Sequence, residues 1–166
     1  PEKARALFAR AAALDFGPSL GRLGVLLHEG IGGPVDMVLS AATLERAVAL
    51  GDAEGTAEYA FMLATGTGVT ADLVRARRLY GVAAAHGIDW AERDYAEMME
   101  LGEGGSVDLS VALDFYRRSA AQGYGVGFYG DRADTLFAQW LVGYLKASVW
   151  EALNAAHRQH PEWNRS

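Results

Sequence analysis

Apolar residues recur along this chain at spacings of three and four, and the whole arrangement then recurs every 36 residues. In the stretch 72–87, Ala76, Leu79, Tyr80, Ala83 and Ala84 fall on one face of a helix. Asp72 stands where a helix needs its first exposed N–H groups satisfied, and such a cap is worth about 1 kcal/mol. Gly87 marks the far end, since a residue without Cβ takes the left-handed cap without strain. The preceding stretch, 53–65, predicts a second helix that stops at Gly66 and places Tyr59, Ala60 and Leu63 on its packed face. The glycine-bearing segment 66–72 is the turn between the two helices.

Shifting the chain by 36 positions lays it on itself without gaps from Lys3 to Gly123. Gly30, Gly66 and Gly102 coincide, as do Gly32, Gly68 and Gly104, then Asp36, Asp72 and Asp108, then Gly51, Gly87 and Gly123. The core positions keep the same step: Ala4, Ser40, Ala76 and Ala112; Phe8, Leu44, Tyr80 and Tyr116; Ala11, Ala47, Ala83 and Ser119. Gly24, Ala60 and Ala96 follow Leu23, Tyr59 and Tyr95 in mid-helix. The small member lets a paired helix approach closely while its large neighbour fills the flanking hole. A repeat of this length points to an all-α solenoid of helix-turn-helix units.

These residues resemble the Sel-1-like repeat (SLR) family, a relative of the tetratricopeptide repeats. The best copy is Tyr59-Ala60, Leu63, Gly66-Thr-Gly68-Val69, Asp72, Arg75-Ala76, Leu79-Tyr80, Ala83-Ala84 and Gly87. The copy that begins at Leu23-Gly24 carries Gly33 in place of the loop valine. The copy at Tyr95-Ala96 keeps Gly102, Gly104, Asp108, Ala112, Phe115-Tyr116, Ala120 and Gly123. The resemblance implies an α/α superhelix, right-handed and used as an adaptor in protein complexes, and it implies no reaction. It favours the periplasm over the cytoplasm of a bacterium. A cysteine-rich branch of the family has been linked to β-lactam binding, and this cysteine-free chain inherits nothing from it.

The expected organisation is one repeat domain over 1–166: a partial repeat in 1–16 with only its second helix, full repeats in 17–52, 53–88 and 89–124, one or two capping helices in 125–160, and a flexible tail in 161–166. The register breaks after Gly123 at the glycine-aromatic run 125–130, and Phe137, Trp140, Leu141, Tyr144, Leu145 and Trp150 form the apolar stripe of the expected cap. A second helix without its first leaves a repeat interface open at the N-terminal end. Further repeats before Pro1 or self-association through that end are the expected solutions.

A formal charge of −6, with two lysines (Lys3 and Lys146), speaks against nucleic acid as a partner, which requires clustered positive charge. No apolar run reaches the roughly 20 residues of a spanning helix, so membrane insertion is not expected. Zero cysteines removes disulfides, thiolate catalysis and thiolate metal sites. His28-Glu29 has Gly32 where a zinc-binding helix would carry its second His, and His157 with His160 has no third ligand nearby, so no metal or cofactor is expected. The glycine loops follow helices and carry no Lys-Ser or Lys-Thr, so they are not phosphate loops.

What varies between repeats at fixed positions points to the binding surface. Arg22, Val25 and Glu29, their equivalents Glu58, Phe61 and Thr65, and then Asp94, Glu97 and Leu101 lie opposite the packed faces of the first helices. In the resembled fold those helices line the concave surface. This groove is expected to turn acidic toward the third repeat through Glu92, Asp94, Glu97 and Glu100, and to suit a protein or amphipathic peptide carrying Arg or Lys. The leading reading is a non-enzymatic scaffold, a segment of a larger bacterial protein. Two alternatives are an inhibitor or immunity-type partner of one enzyme and a cell-wall or lactam hydrolase, the latter without a nucleophile–base pair in the sequence.

Overall fold

The computed structural model describes residues 1–121. These form α1 (Glu2–Ala12), α2 (Gly17–Glu29), α3 (Met37–Ala49), α4 (Ala53–Thr65), α5 (Leu73–Ala85), α6 (Asp89–Leu101) and α7 (Leu109–Ala121), and no strand occurs among them. The expected capping helices in 125–160, the tail in 161–166 and the pair His157 and His160 lie outside the described residues.

Local chemistry sets the helix ends as the pattern predicts. Asp36 accepts a hydrogen bond from the Leu39 N–H at 2.9 Å, Asp72 from the Arg75 N–H at 2.9 Å and Asp108 from the Val111 N–H at 3.1 Å. Each cap also locks the turn from behind, because the N–H groups of Asp36, Asp72 and Asp108 donate to the carbonyls of Leu27, Leu63 and Met99. The turn needs both of its glycines for different reasons. Gly66 ends α4 at φ 73°, a left-handed cap. Gly68, at φ 70°, lies so close to α3 that an added Cβ would sit 2.2 Å from the Met37 carbonyl oxygen, so the loop of one repeat abuts the helix start of the repeat before it.

The strongest packing is within each pair, α2 on α3, α4 on α5 and α6 on α7, and consecutive pairs stack through α3–α4 and α5–α6. The main core gathers Leu44, Tyr59, Ala60, Met62, Leu63, Leu79, Tyr80 and Ala83. Small residues decide the distance within pairs. An added Cβ at Gly24 would sit 2.4 Å from the Leu44 side chain, and the Ser40 hydroxyl donates to the Gly24 carbonyl at 2.7 Å.

Distances between first helices are not uniform, and this difference shapes the molecule. α2 packs directly on α4, whereas α4 and α6 lack comparable contact, as do the second helices α3 and α5. At the α2–α4 crossing Gly21 meets Gly55, where an added Cβ on Gly55 would lie 3.1 Å from the Gly21 Cα. One repeat later the corresponding residues are Ala57 and Ala91, both fully buried. Two methyl groups replace two hydrogens, and the surface opens between α4 and α6.

Candidate functional site

Phe61 stands at the centre of the first-helix surface. It lies on α4, half-buried against the main core, with its ring centroid 6.0 Å from that of His28 on α2. On its α6 side are two shallow cavities that share Phe61 and Asp94. One, of about 260 Å³, is lined by Glu58, Phe61, Trp90, Arg93 and Asp94. The other, of about 200 Å³, adds Ala64, Thr65, Tyr80, Glu97, Met98 and Glu103 to the shared pair.

The surrounding elements fix these walls. Trp90 packs edge-on against Tyr80, with centroids 6.2 Å apart and an interplanar angle of 86°, so α5 holds the indole from beneath. Arg93 and Asp94 form an ion pair whose side chains are both largely covered. Burial pushes the Tyr80 hydroxyl far above its ordinary range, and the charge of Asp94 and a hydrogen bond to it push the same way. Tyr80 therefore remains a neutral phenol beneath the groove. Burial also raises the Glu58 carboxyl; His28 and Arg22 oppose the shift, and Glu29 and Glu54 add to it.

None of the nine sequence-predicted groove residues is buried: Glu58, Phe61, Asp94 and Val25 are half-buried, and Arg22, Glu29, Thr65, Glu97 and Leu101 are exposed. The structure brings Glu58, Phe61 and Asp94 to one cavity, and Phe61, Thr65, Asp94 and Glu97 to the other. Arg22, Val25, Glu29 and Leu101 line neither; Arg22 instead reaches Glu54 at 3.4 Å across the α2–α4 crossing.

Two of the expected acidic contributors point elsewhere. Glu92 is fully buried, with its carboxylate 2.6 Å from the Arg118 guanidinium on α7. Its repeat equivalents are Leu20 and Thr56, both buried, so that column of the repeat faces inward whatever residue fills it. Glu100 accepts a hydrogen bond from the Tyr116 hydroxyl at 3.0 Å and so also faces α7. The groove's acidity comes instead from Glu58, Asp94, Glu97 and Glu103.

Trp90, Arg93 and Glu103 were not among the expected groove residues. The available signal was the departure of single columns from their repeat: Arg93 stands where Gly21 and Ala57 stand earlier, and Trp90 where Pro18 and Glu54 stand. Aromatic faces beside carboxylates suit recognition of side chains. Among the described residues no group of three or more His, Asp or Glu side chains could hold a metal ion.

The repeat period, the capped turns and the stacked pairs meet a direct match to the Sel1 repeat model at residues 1–16, 18–52, 53–88 and 91–124. The chain belongs to the Sel1 repeat family. Members are generally protein–protein interaction modules and typically non-catalytic. Two solved structures are similar. One is a Sel1 repeat protein from Oxalobacter formigenes, at 27% identity and a TM-score of 0.65 over 72% of this chain and 48% of that one. The other is a protective antigen present in uropathogenic Escherichia coli strains that displays an SLR fold, at 27% identity and a TM-score of 0.67 over 81% of this chain and 32% of that one. The chain thus spans about half the length of the first and a third of the second. No curated protein matches the chain. No helix among the described residues is long and apolar enough to cross a membrane.

Proposed function

We propose that this Sel1 repeat segment is a non-enzymatic module that holds a protein partner by seating one of its peptide segments on the first-helix surface, across α4 and α6. The observation that carries the reading is Phe61, a large aromatic left half-exposed at the centre of that surface, where it and Asp94 line two cavities. A half-exposed aromatic flanked by cavities and carboxylates has the composition of an interface anchor. The widened α4–α6 spacing supplies room for inserted side chains, which the Gly21–Gly55 crossing does not. The surplus of carboxylates along the groove selects a segment with basic residues.

The test is capture from a native bacterial extract on the immobilised chain beside its Phe61→Ser and Glu97→Arg variants, each first shown to melt as the wild type does. A protein retained by the wild type and lost on both variants supports groove binding. Equal recovery on all three baits overturns it.

A further inference from the structure

We propose that the cavity between α4 and α6 next to Thr65 and Glu97 receives one arginine or lysine side chain of the bound segment. The inference rests on the groove-binding reading and assigns one of its two cavities a chemistry.

Phe61, Tyr80 and Met98 give this cavity an apolar wall suited to the methylenes of a long basic side chain, and Asp94, Glu97 and Glu103 give it an acidic rim. None of its lining residues is basic, in contrast to its neighbour, which Arg93 lines. Asp94 is already ion-paired with Arg93, so the charge that a ligand would meet is mainly that of the exposed Glu97 and Glu103.

Backbone dipoles add to the side chains. α4 ends at Thr65 and α6 at Leu101, so two helix C-termini come to this end of the groove, and neither has a basic residue in its last turn. Each contributes the partial negative charge of its helix dipole, with the carbonyls of Met62, Leu63, Met98 and Met99 already bonded to the following loops. The nearby Arg77 does not neutralise the rim directly: its guanidinium donates to the Glu103 carbonyl at 3.3 Å, to the Ser106 carbonyl at 2.7 Å and to the Met99 sulfur, holding the loop. The cavity therefore combines an apolar wall, a rim of carboxylates and helix ends of one sign.

The experiment titrates the full ¹⁵N-labelled chain with Nα-acetyl-argininamide and Nα-acetyl-lysinamide, using Nα-acetyl-norleucinamide as the uncharged control. At least one cationic probe is expected to shift the amides of Ala64, Thr65, Glu97 and Met98 saturably. It should bind about fivefold or more tightly than norleucinamide, the ratio of a partly exposed ion pair. The Glu97→Gln, Glu103→Gln double variant should lose that preference while keeping the wild-type spectrum elsewhere. Equal binding of all three probes, an unchanged preference in the double variant, or no saturable shift at these amides would each overturn the proposal. The two readings fail separately. A captured partner that needs Phe61 but tolerates the double glutamine variant leaves groove binding standing and removes the basic-side-chain pocket.

Discussion

The Arg77 guanidinium fills the space that a side chain at Gly105 would need: an added Cβ at Gly105 would lie 2.7 Å from Nη1 of Arg77. The same pairing joins Arg5 to Gly33, again at 2.7 Å, and Arg5 donates to the Pro34 carbonyl at 3.0 Å. In the middle repeat both partners change together. Ala41 stands in the arginine position, and Val69 stands in the loop and packs against the main core. Each inter-repeat seam is thus closed either by an arginine bonded to loop carbonyls or by a valine on an alanine. Gly105→Val should therefore displace the Arg77 guanidinium from the loop carbonyls it bonds and cost about 1 kcal/mol. Ala41→Arg should likewise destabilise, and adding Val69→Gly should recover part of the loss. Denaturant melts of the two single variants and the double variant form a cycle, and simple additivity would refute the coupling.

The α2–α4 crossing yields a second expectation. An added Cβ at Gly55 would lie 2.7 Å from the Ala47 Cβ and 2.8 Å from Oδ2 of Asp52, the carboxylate that caps α4. Helix propensity alone would make Gly55→Ala stabilising by about 1 kcal/mol. Crowding of two backbones and a cap should outweigh this, giving a net loss of roughly 1–2 kcal/mol. Gly81→Ala on α5 is the control, since its added Cβ would meet a Tyr95 ring edge at 3.1 Å and no backbone atom is among its nearest neighbours. Thermal melts in which Gly55→Ala is the more stable of the two would contradict the reading.

The fully buried carboxylate of Glu92 pairs with the exposed guanidinium of Arg118 and joins α6 to α7. Arg118 also donates to the Ala84 carbonyl at 3.3 Å and lies 4.7 Å from the Phe115 ring centroid, so one side chain ties three helices together. Truncating it with Arg118→Ala strips a buried carboxylate of this cation and should cost roughly 2–3 kcal/mol. Glu92→Leu installs the residue that the first full repeat carries as Leu20, removes the charge itself and should cost less. The order of the two midpoints in urea is the measurement, and Glu92→Leu proving the more damaging variant would reverse the assignment.

How much of this could be read from the chain follows from the range of each interaction. Asp72 and Gly66 act within a few residues of themselves, so their roles show in a single turn of sequence. Tyr59, Ala60 and Leu63 are buried as their spacing predicts, because one helix face decides it. Gly33 is visible as a departure from the loop valine, but its cause is Arg5, 28 positions earlier in another helix, and periodicity does not link the two. The sequence puts Glu92 among the acidic groove residues of α6, whereas its column, with Leu20 and Thr56, faces the second helices. The gap between α4 and α6 depends on Ala57 and Ala91 replacing glycine-sized neighbours. The substitution is legible, but its consequence requires two helices in three dimensions.

Glu58 gives the molecule a pH dependence of definite sign. Its carboxyl is raised mainly by burial, with Glu29 and Glu54 adding to the shift and His28 and Arg22 opposing it. For an acid raised on folding, the neutral form is the one the fold favours. Its contribution is then fully present below the unfolded pKa and is lost as the pH rises through the folded value. Above the folded value the chain carries a partly desolvated charge at Glu58. Glu58→Gln should accordingly raise the melting temperature at pH 7, and this gain should vanish at a pH below the ordinary carboxylate range, where the wild-type side chain is neutral as well. Bringing a basic side chain into the neighbouring cavity should act in the opposite direction to burial, drawing the Glu58 carboxyl back toward its ordinary value. Paired calorimetric scans of the wild type and Glu58→Gln at both pH values decide the matter. A variant less stable at neutral pH, or one whose gain persists in acid, would show that Glu58 is held by partners and not merely desolvated.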